Sequence, residues 1–86
     1  MAVPEVSTRD LATWLTGTIA RHAGLPVDQI DPDTLLSEYG LDSISAFAVV
    51  NDIEETFGVV PDVTAIWDHP TVGQLSSFLA DLMAAR

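Results

Sequence analysis

Residues 42–58 read DSISAFAVVNDIEETFG, and this stretch decides the fold. Asp42 is a favourable N-cap, and Ser43 opens the run that follows. Ile44, Phe47, Val50, Ile53 and Phe57 recur at helical spacing, and Gly58 supplies a stop. Strand alternation is absent, because residues 46–50 are apolar without a break. Val49 and Val50 are β-branched, but the length of the segment favours helix over strand. The pattern predicts an amphipathic helix with Ser45, Asp52, Glu54 and Glu55 towards solvent.

Working outward, the N-terminal side holds a second helical pattern. Ser7-Thr8-Arg9-Asp10 has capping-box spacing, with aspartate in place of glutamate. Leu11, Leu15, Thr18, Ile19 and His22 share one helical face, and Gly24 is a C-terminal stop. This predicts a helix from Thr8 to Ala23. Residues 25–41 carry Pro26 and Pro32 with several turn-forming acids and read as a long loop. A loop of this length in a small domain has a function or short structure of its own. One turn at Thr34-Leu35-Leu36-Ser37 would pin it to the core.

On the C-terminal side, residues 61–67 have room for one or two helical turns, which His69-Pro70 ends. Thr71-Val72-Gly73-Gln74 repeats the capping-box spacing. Val72, Leu75, Phe78, Leu79 and Leu82 then mark the stripe of a last helix ending near Ala85. The expected fold is all-α: a four-helix bundle of three main helices and one short one, with a long loop after the first. Residues 1–86 form a single domain in this reading, with residues 1–6 a flexible N-terminus.

Composition narrows the function. The 86 residues hold 13 acidic side chains against three basic ones, for a net charge of −10. Such a surface repels nucleic acid and anionic lipid and attracts basic patches on proteins. No apolar run is long enough to span a membrane, and residues 1–6 lack the basic start and apolar stretch of a signal peptide. A cytoplasmic monomer is expected. There is no cysteine, so disulfides, thiolate chemistry and cysteine-ligated metals are excluded. There is no lysine either; the basic residues are Arg9, Arg21 and Arg86. We take as a hypothesis that a surface free of thiols and side-chain amines spares an activated acyl group held nearby; a genome that prefers Arg to Lys is the alternative.

Enzymatic constellations are missing. Asp31, Asp33 and Glu38 sit in one loop, but Pro32 and the lack of a central glycine break the calcium-loop pattern. His22 and His69 have no paired ligand spacing, so no metal site is expected. His22 is accounted for by the dipole at a helix C-terminus. Ser43 lies in no Gly-x-Ser-x-Gly elbow. Trp14 and Trp67 read as packing residues.

Ser43 has another use. It stands at a helix start, where unpaired N–H groups and the dipole favour an anion by about 0.3–1 kcal/mol. Gly40 allows the approaching backbone unusual conformations. Asp42 caps the helix and leaves the Ser43 hydroxyl free. On these residues alone, a plain helix start is the favoured reading, since Asp-Ser before an apolar helix is common.

The wider pattern separates the two. Gly40-Leu41-Asp42-Ser43-Ile44 resembles the attachment motif of the phosphopantetheine-dependent carrier proteins. Residues 25–36 resemble that family's loop before the motif. Glu54-Glu55-Thr56-Phe57-Gly58-Val59 resembles the end of its second helix. Residues 67–75, from Trp67-Asp68-His69-Pro70-Thr71 onward, resemble the entry to the last helix in polyketide and nonribosomal peptide carriers. The resemblance covers nearly the whole chain.

The resemblance implies a carrier with no catalysis of its own. A phosphopantetheinyl transferase would use coenzyme A to load Ser43 with 4′-phosphopantetheine, whose thiol holds acyl groups as thioesters. Gly40, Leu41 and Asp42 would support the motif. Asp42, Ile44, Phe47, Ala48, Asn51, Glu54 and Glu55 would form the partner face, with Ile44 and Phe47 equally placed for the core. The partners implied are the transferase and an acyltransferase, ketosynthase or adenylating enzyme that loads the arm.

Asp42 favours an acyl carrier, and His69-Pro70-Thr71 points to polyketide-type natural-product assembly. Ile44 stands where leucine is frequent. Ser45 and Ala48 leave the helix start less acidic than in fatty-acid carriers. Met1 and the lack of linkers favour a free-standing protein. An aminoacyl or aryl carrier, an unmodified acidic adaptor and a small helical enzyme are the alternatives.

Overall fold

Ser7 starts the first helix by a complete capping box. Its hydroxyl accepts the Asp10 N–H at 3.1 Å, and the Asp10 carboxylate accepts the Ser7 N–H at 3.4 Å. The computed structural model describes residues 7–85; the N-terminal segment 1–6 lies outside them. Helix α1 spans Thr8–Ala23, α2 Ser43–Phe57, α3 Ala65–Asp68 and α4 Val72–Ala84. Gly24 and Gly58 end α1 and α2 in the left-handed conformation, at φ 70° and 73°. The described residues contain no strand, only an isolated bridge between Leu35 and Thr71. None of their helices is long and apolar enough to cross a membrane.

Helix α1 packs against both α4 and α2. Leu11, Leu15 and Ile19 meet Ala46, Val49 and Ile53 of α2, Ile66 of α3, and Val72, Leu75 and Leu79 of α4 in one core. Each large aliphatic side chain buried there contributes about 1.5–3 kcal/mol. Trp14 and Phe57 close one edge with an edge-to-face contact at 4.9 Å. Ser76 is buried within α4 and satisfies its hydroxyl on the Val72 carbonyl at 2.6 Å.

The stripe expected for α2 is rotated at its N-terminal end. Ile44 and Phe47 are 79% and 62% exposed, whereas Ala46 and Val49 are fully buried. Both sets have helical spacing in a segment apolar on most sides, so periodicity could not choose between them. The small Ala46 allows close packing, and the larger side chains turn outward. Asp52 is also partly buried rather than free on the solvent side. It accepts from Arg21 Nη2 at 2.7 Å and lies 2.8 Å from His22 Nε2, tying α1 to α2.

The long loop is structured. It holds two 3-10 turns, Val27–Gln29 and Leu36–Tyr39, the second starting two residues later than the turn expected at Thr34. Leu36 is fully buried, and its N–H donates to the Pro70 carbonyl at 2.7 Å. The Gly73 N–H donates to the Pro32 carbonyl at 3.0 Å. The Tyr39 hydroxyl accepts the Asp31 N–H at 2.8 Å and donates to the Asp31 carbonyl at 3.2 Å. These bonds seat the loop on the start of α4 and fix where the chain enters α2.

Candidate functional site

The entry to α2 is built in four steps. Gly40 ends the second 3-10 turn at φ 77°, where a side chain would be strained. Leu41 is 6% exposed and anchors the chain in the core. Asp42 returns to extended backbone as the N-cap, and its carboxylate accepts the Ser45 N–H at 2.9 Å. Ser43 is then the first residue of the helix and lies exposed. Among the described residues its hydroxyl has no hydrogen-bond partner.

The Ser45 N–H, then the Ser45 hydroxyl, hold the Asp42 carboxyl below its ordinary value. The cap is therefore an anion at neutral pH. It is spent on Ser45, further into the first turn, so it leaves the Ser43 oxygen available. The remaining unpaired N–H groups of the first turn and the helix dipole favour added negative charge here. An exposed, unengaged hydroxyl in that field suits a phosphodiester.

Around Ser43 the surface divides in two. Ile44 and Phe47 form an exposed apolar patch in the first turns of α2. Asn51, Glu54 and Glu55 lie exposed further along the helix. Asp42 is exposed at the cap, while Ala48 is only partly exposed, contrary to its expected place on an open face. Asp52 is withdrawn from this surface by Arg21 and His22. Those partners precede it by 31 and 30 positions, and nothing local in the sequence signals the pairing.

The other sequence candidates fall elsewhere. No group of three or more metal-ligating side chains occurs among the described residues. Asp31 instead caps its own loop, its carboxylate accepting the Asp33 N–H at 2.7 Å. His69 stacks on Phe78 at 4.3 Å. Trp14 packs as expected, whereas Trp67 is 42% exposed.

Comparison with known proteins completes the site. The family described as "Phosphopantetheine attachment site" matches residues 13–79. The chain is 31% identical over 71 residues to a phenolphthiocerol/phthiocerol polyketide synthase of Mycobacterium tuberculosis, covering 83% of this chain but 4% of that protein. It is 31% identical over 77 residues to acyl carrier protein TtuC of Teredinibacter turnerae, covering 90% of this chain and 88% of that one. Among solved structures, a free-standing peptidyl carrier protein from an Acinetobacter baumannii secondary metabolic pathway superposes with TM-score 0.86 at 28% identity. That match covers 90% of this chain and 96% of the other. The chain thus spans a small fraction of the synthase it matches and most of the two small carriers.

Proposed function

Because the chain belongs to the phosphopantetheine attachment site family, we propose that Ser43 bears the 4′-phosphopantetheine arm of an acyl carrier in polyketide-type natural-product biosynthesis. The observation that carries this assignment is the Ser43 hydroxyl, exposed and unengaged at the first turn of α2, inside the segment that the family matches. The family is one of non-catalytic carriers, and no enzymatic role is assigned to this chain. When attached, the arm supplies the thiol that the cysteine-free chain lacks and holds acyl groups on it as thioesters.

The residues of the chain prepare the site. Gly40 turns the backbone into it, Leu41 holds it to the core, and Asp42 fixes the first turn of α2 without consuming the Ser43 oxygen. The first-turn N–H groups stabilise the phosphodiester. We assign the partner face to Asp42, Ile44, Phe47, Ala48, Asn51, Glu54 and Glu55. Ile44 and Phe47 supply apolar contact beside the arm, and Glu54 and Glu55 orient a basic partner. Contacts this small suit a carrier that must leave each partner. The partners are the transferase that attaches the arm and the acyltransferase, ketosynthase or adenylating enzyme that loads it. Residues 1–86 are taken as one monomeric carrier domain acting in the cytoplasm.

Likeness to a peptidyl carrier supports a second reading, a carrier loaded with an aminoacyl or aryl group by an adenylating enzyme. Intact-mass measurement tests the common part. With coenzyme A and a broad-range phosphopantetheinyl transferase, the wild type should gain one phosphopantetheine and Ser43→Ala none. No gain on the wild type, or an equal gain on the variant, defeats the proposal. Offering the loaded chain malonyl or aminoacyl donors with their loading enzymes then separates the two readings.

A further inference from the structure

A second surface lies on α4 and shares no residue with the attachment site. A groove of about 550 Å3 is lined by Asp33, His69, Gln74, Ser77, Phe78 and Asp81, with Thr71 and Gly73 at the entry to α4. Its walls are held in place. The Gly73 N–H bonds the Pro32 carbonyl at 3.0 Å, and the Leu36 N–H bonds the Pro70 carbonyl at 2.7 Å. A Cβ on residue 73 would stand 3.3 Å from the Pro32 oxygen, so glycine permits the close approach of loop and helix.

Two features give the groove a chemical preference. His69 and Phe78 stack face to face at 4.3 Å with an interplanar angle of 19°, and both residues line the groove. Asp33 from the loop and Asp81 from α4 both line the groove, and neither carboxylate has an ion-pair partner among the described residues. The acidic chain leaves the local field negative. A flat cation satisfies both features, because it stacks on an outer ring face of that pair and forks hydrogen bonds to a carboxylate.

We propose that this groove docks an arginine side chain of a partner protein. Guanidinium suits it better than ammonium, since it is planar, less strongly hydrated and able to bond while stacked. This contact would act in addition to the α2 face and add orientation to an otherwise small interface. It is independent of the arm, so it is measured on the unmodified chain.

The test is an NMR titration of the whole protein with acetyl-Gly-Arg-Gly-amide, and with the same peptide carrying citrulline or lysine. The arginine peptide should produce saturable shifts at Gly73, Gln74, Ser77 and Phe78. The citrulline peptide should produce none, and the lysine peptide should bind more weakly. Asp81→Asn and Asp33→Asn should each raise Kd roughly two- to fivefold, while Asp62→Asn leaves it unchanged. Both groove variants should still gain the arm in the mass assay, which separates this result from the Ser43 assignment. Shifts spread evenly over all acidic residues, or an unchanged Kd in both groove variants, overturn the proposal. So does a hexanoyl group on the arm that shifts His69 and Phe78 without peptide, because the groove would then belong to cargo.

Discussion

Ile44 and Ile53 lie nine positions apart on α2, and the same substitution at each should have very different costs. Ile53 is fully buried, whereas Ile44 is 79% exposed. Replacing Ile53 by alanine removes three buried carbons at about 0.8 kcal/mol each. The cavity left behind raises the loss to about 3–4 kcal/mol. At Ile44 only about a fifth of that transfer term applies, roughly 0.5 kcal/mol. No cavity forms there, and alanine regains a few tenths of a kcal/mol in helix propensity. Ile44→Ala should therefore be near neutral.

For a chain this size, the difference of about 3 kcal/mol corresponds to a Tm gap of more than roughly 10 °C. It is also a large share of a total stability of roughly 4–13 kcal/mol. Urea unfolding followed by far-UV circular dichroism measures both variants against the wild type. Should Ile53→Ala not fold, Ile53→Val should still cost about 0.5–1.5 kcal/mol while Ile44→Val costs almost nothing. Equal losses at the two positions, or the larger loss at Ile44, would refute the facing assigned to α2 and with it the apolar patch beside Ser43.

Three further outcomes are expected. The Asp42 carboxyl titrates below its ordinary value of 3.8 in the folded chain. Its stabilising contribution is thus complete above the unfolded value and is lost as pH falls through the lower folded value. Asp42→Asn, which retains a capping side chain, should flatten that part of the acid-unfolding curve; an unchanged curve would remove the assignment. Gly40→Ala should cost about 1 kcal/mol in urea unfolding, for conformational reasons only, because a Cβ there meets nothing within 4 Å while φ is 77°. A neutral result would show that the turn before Ser43 relaxes freely. Phe47→Lys places an amine one helical turn from Ser43 and should shorten the half-life of an acetyl thioester on the arm at pH 9, read by intact mass. An unaltered half-life would dismiss the idea that a surface without lysine protects the cargo.

Much of the architecture is written in local chemistry. Ser7 with Asp10, Asp42 before an apolar run, and Gly24 and Gly58 after one each mark a helix end by satisfying or releasing its unpaired backbone groups. The helix entry at Ser43 is legible for the same reason. The facing of α2 was not, because Ile44 and Phe47 compete with Ala46 and Val49 at the same period and only the packing of α1 and α4 selects between them. Long-range pairings leave no local trace either. Arg21 and His22 find Asp52 across the bundle, and Asp33 and Asp81 come to line one groove once the Pro32 and Pro70 carbonyls seat the loop. Leu35 to Leu36 is legible as an anchor, but the 3-10 turn it leads into depends on that seating.

The most direct test asks which oxygen receives the arm. After incubation with coenzyme A and a phosphopantetheinyl transferase, proteolysis and tandem mass spectrometry should place the added mass on Ser43 alone. Ser45→Ala should be modified as fully as the wild type, since alanine keeps the backbone N–H that Asp42 accepts in the cap. Modification at Ser37 or Ser45, or a modified chain in which Ser43 is bare, would contradict the account.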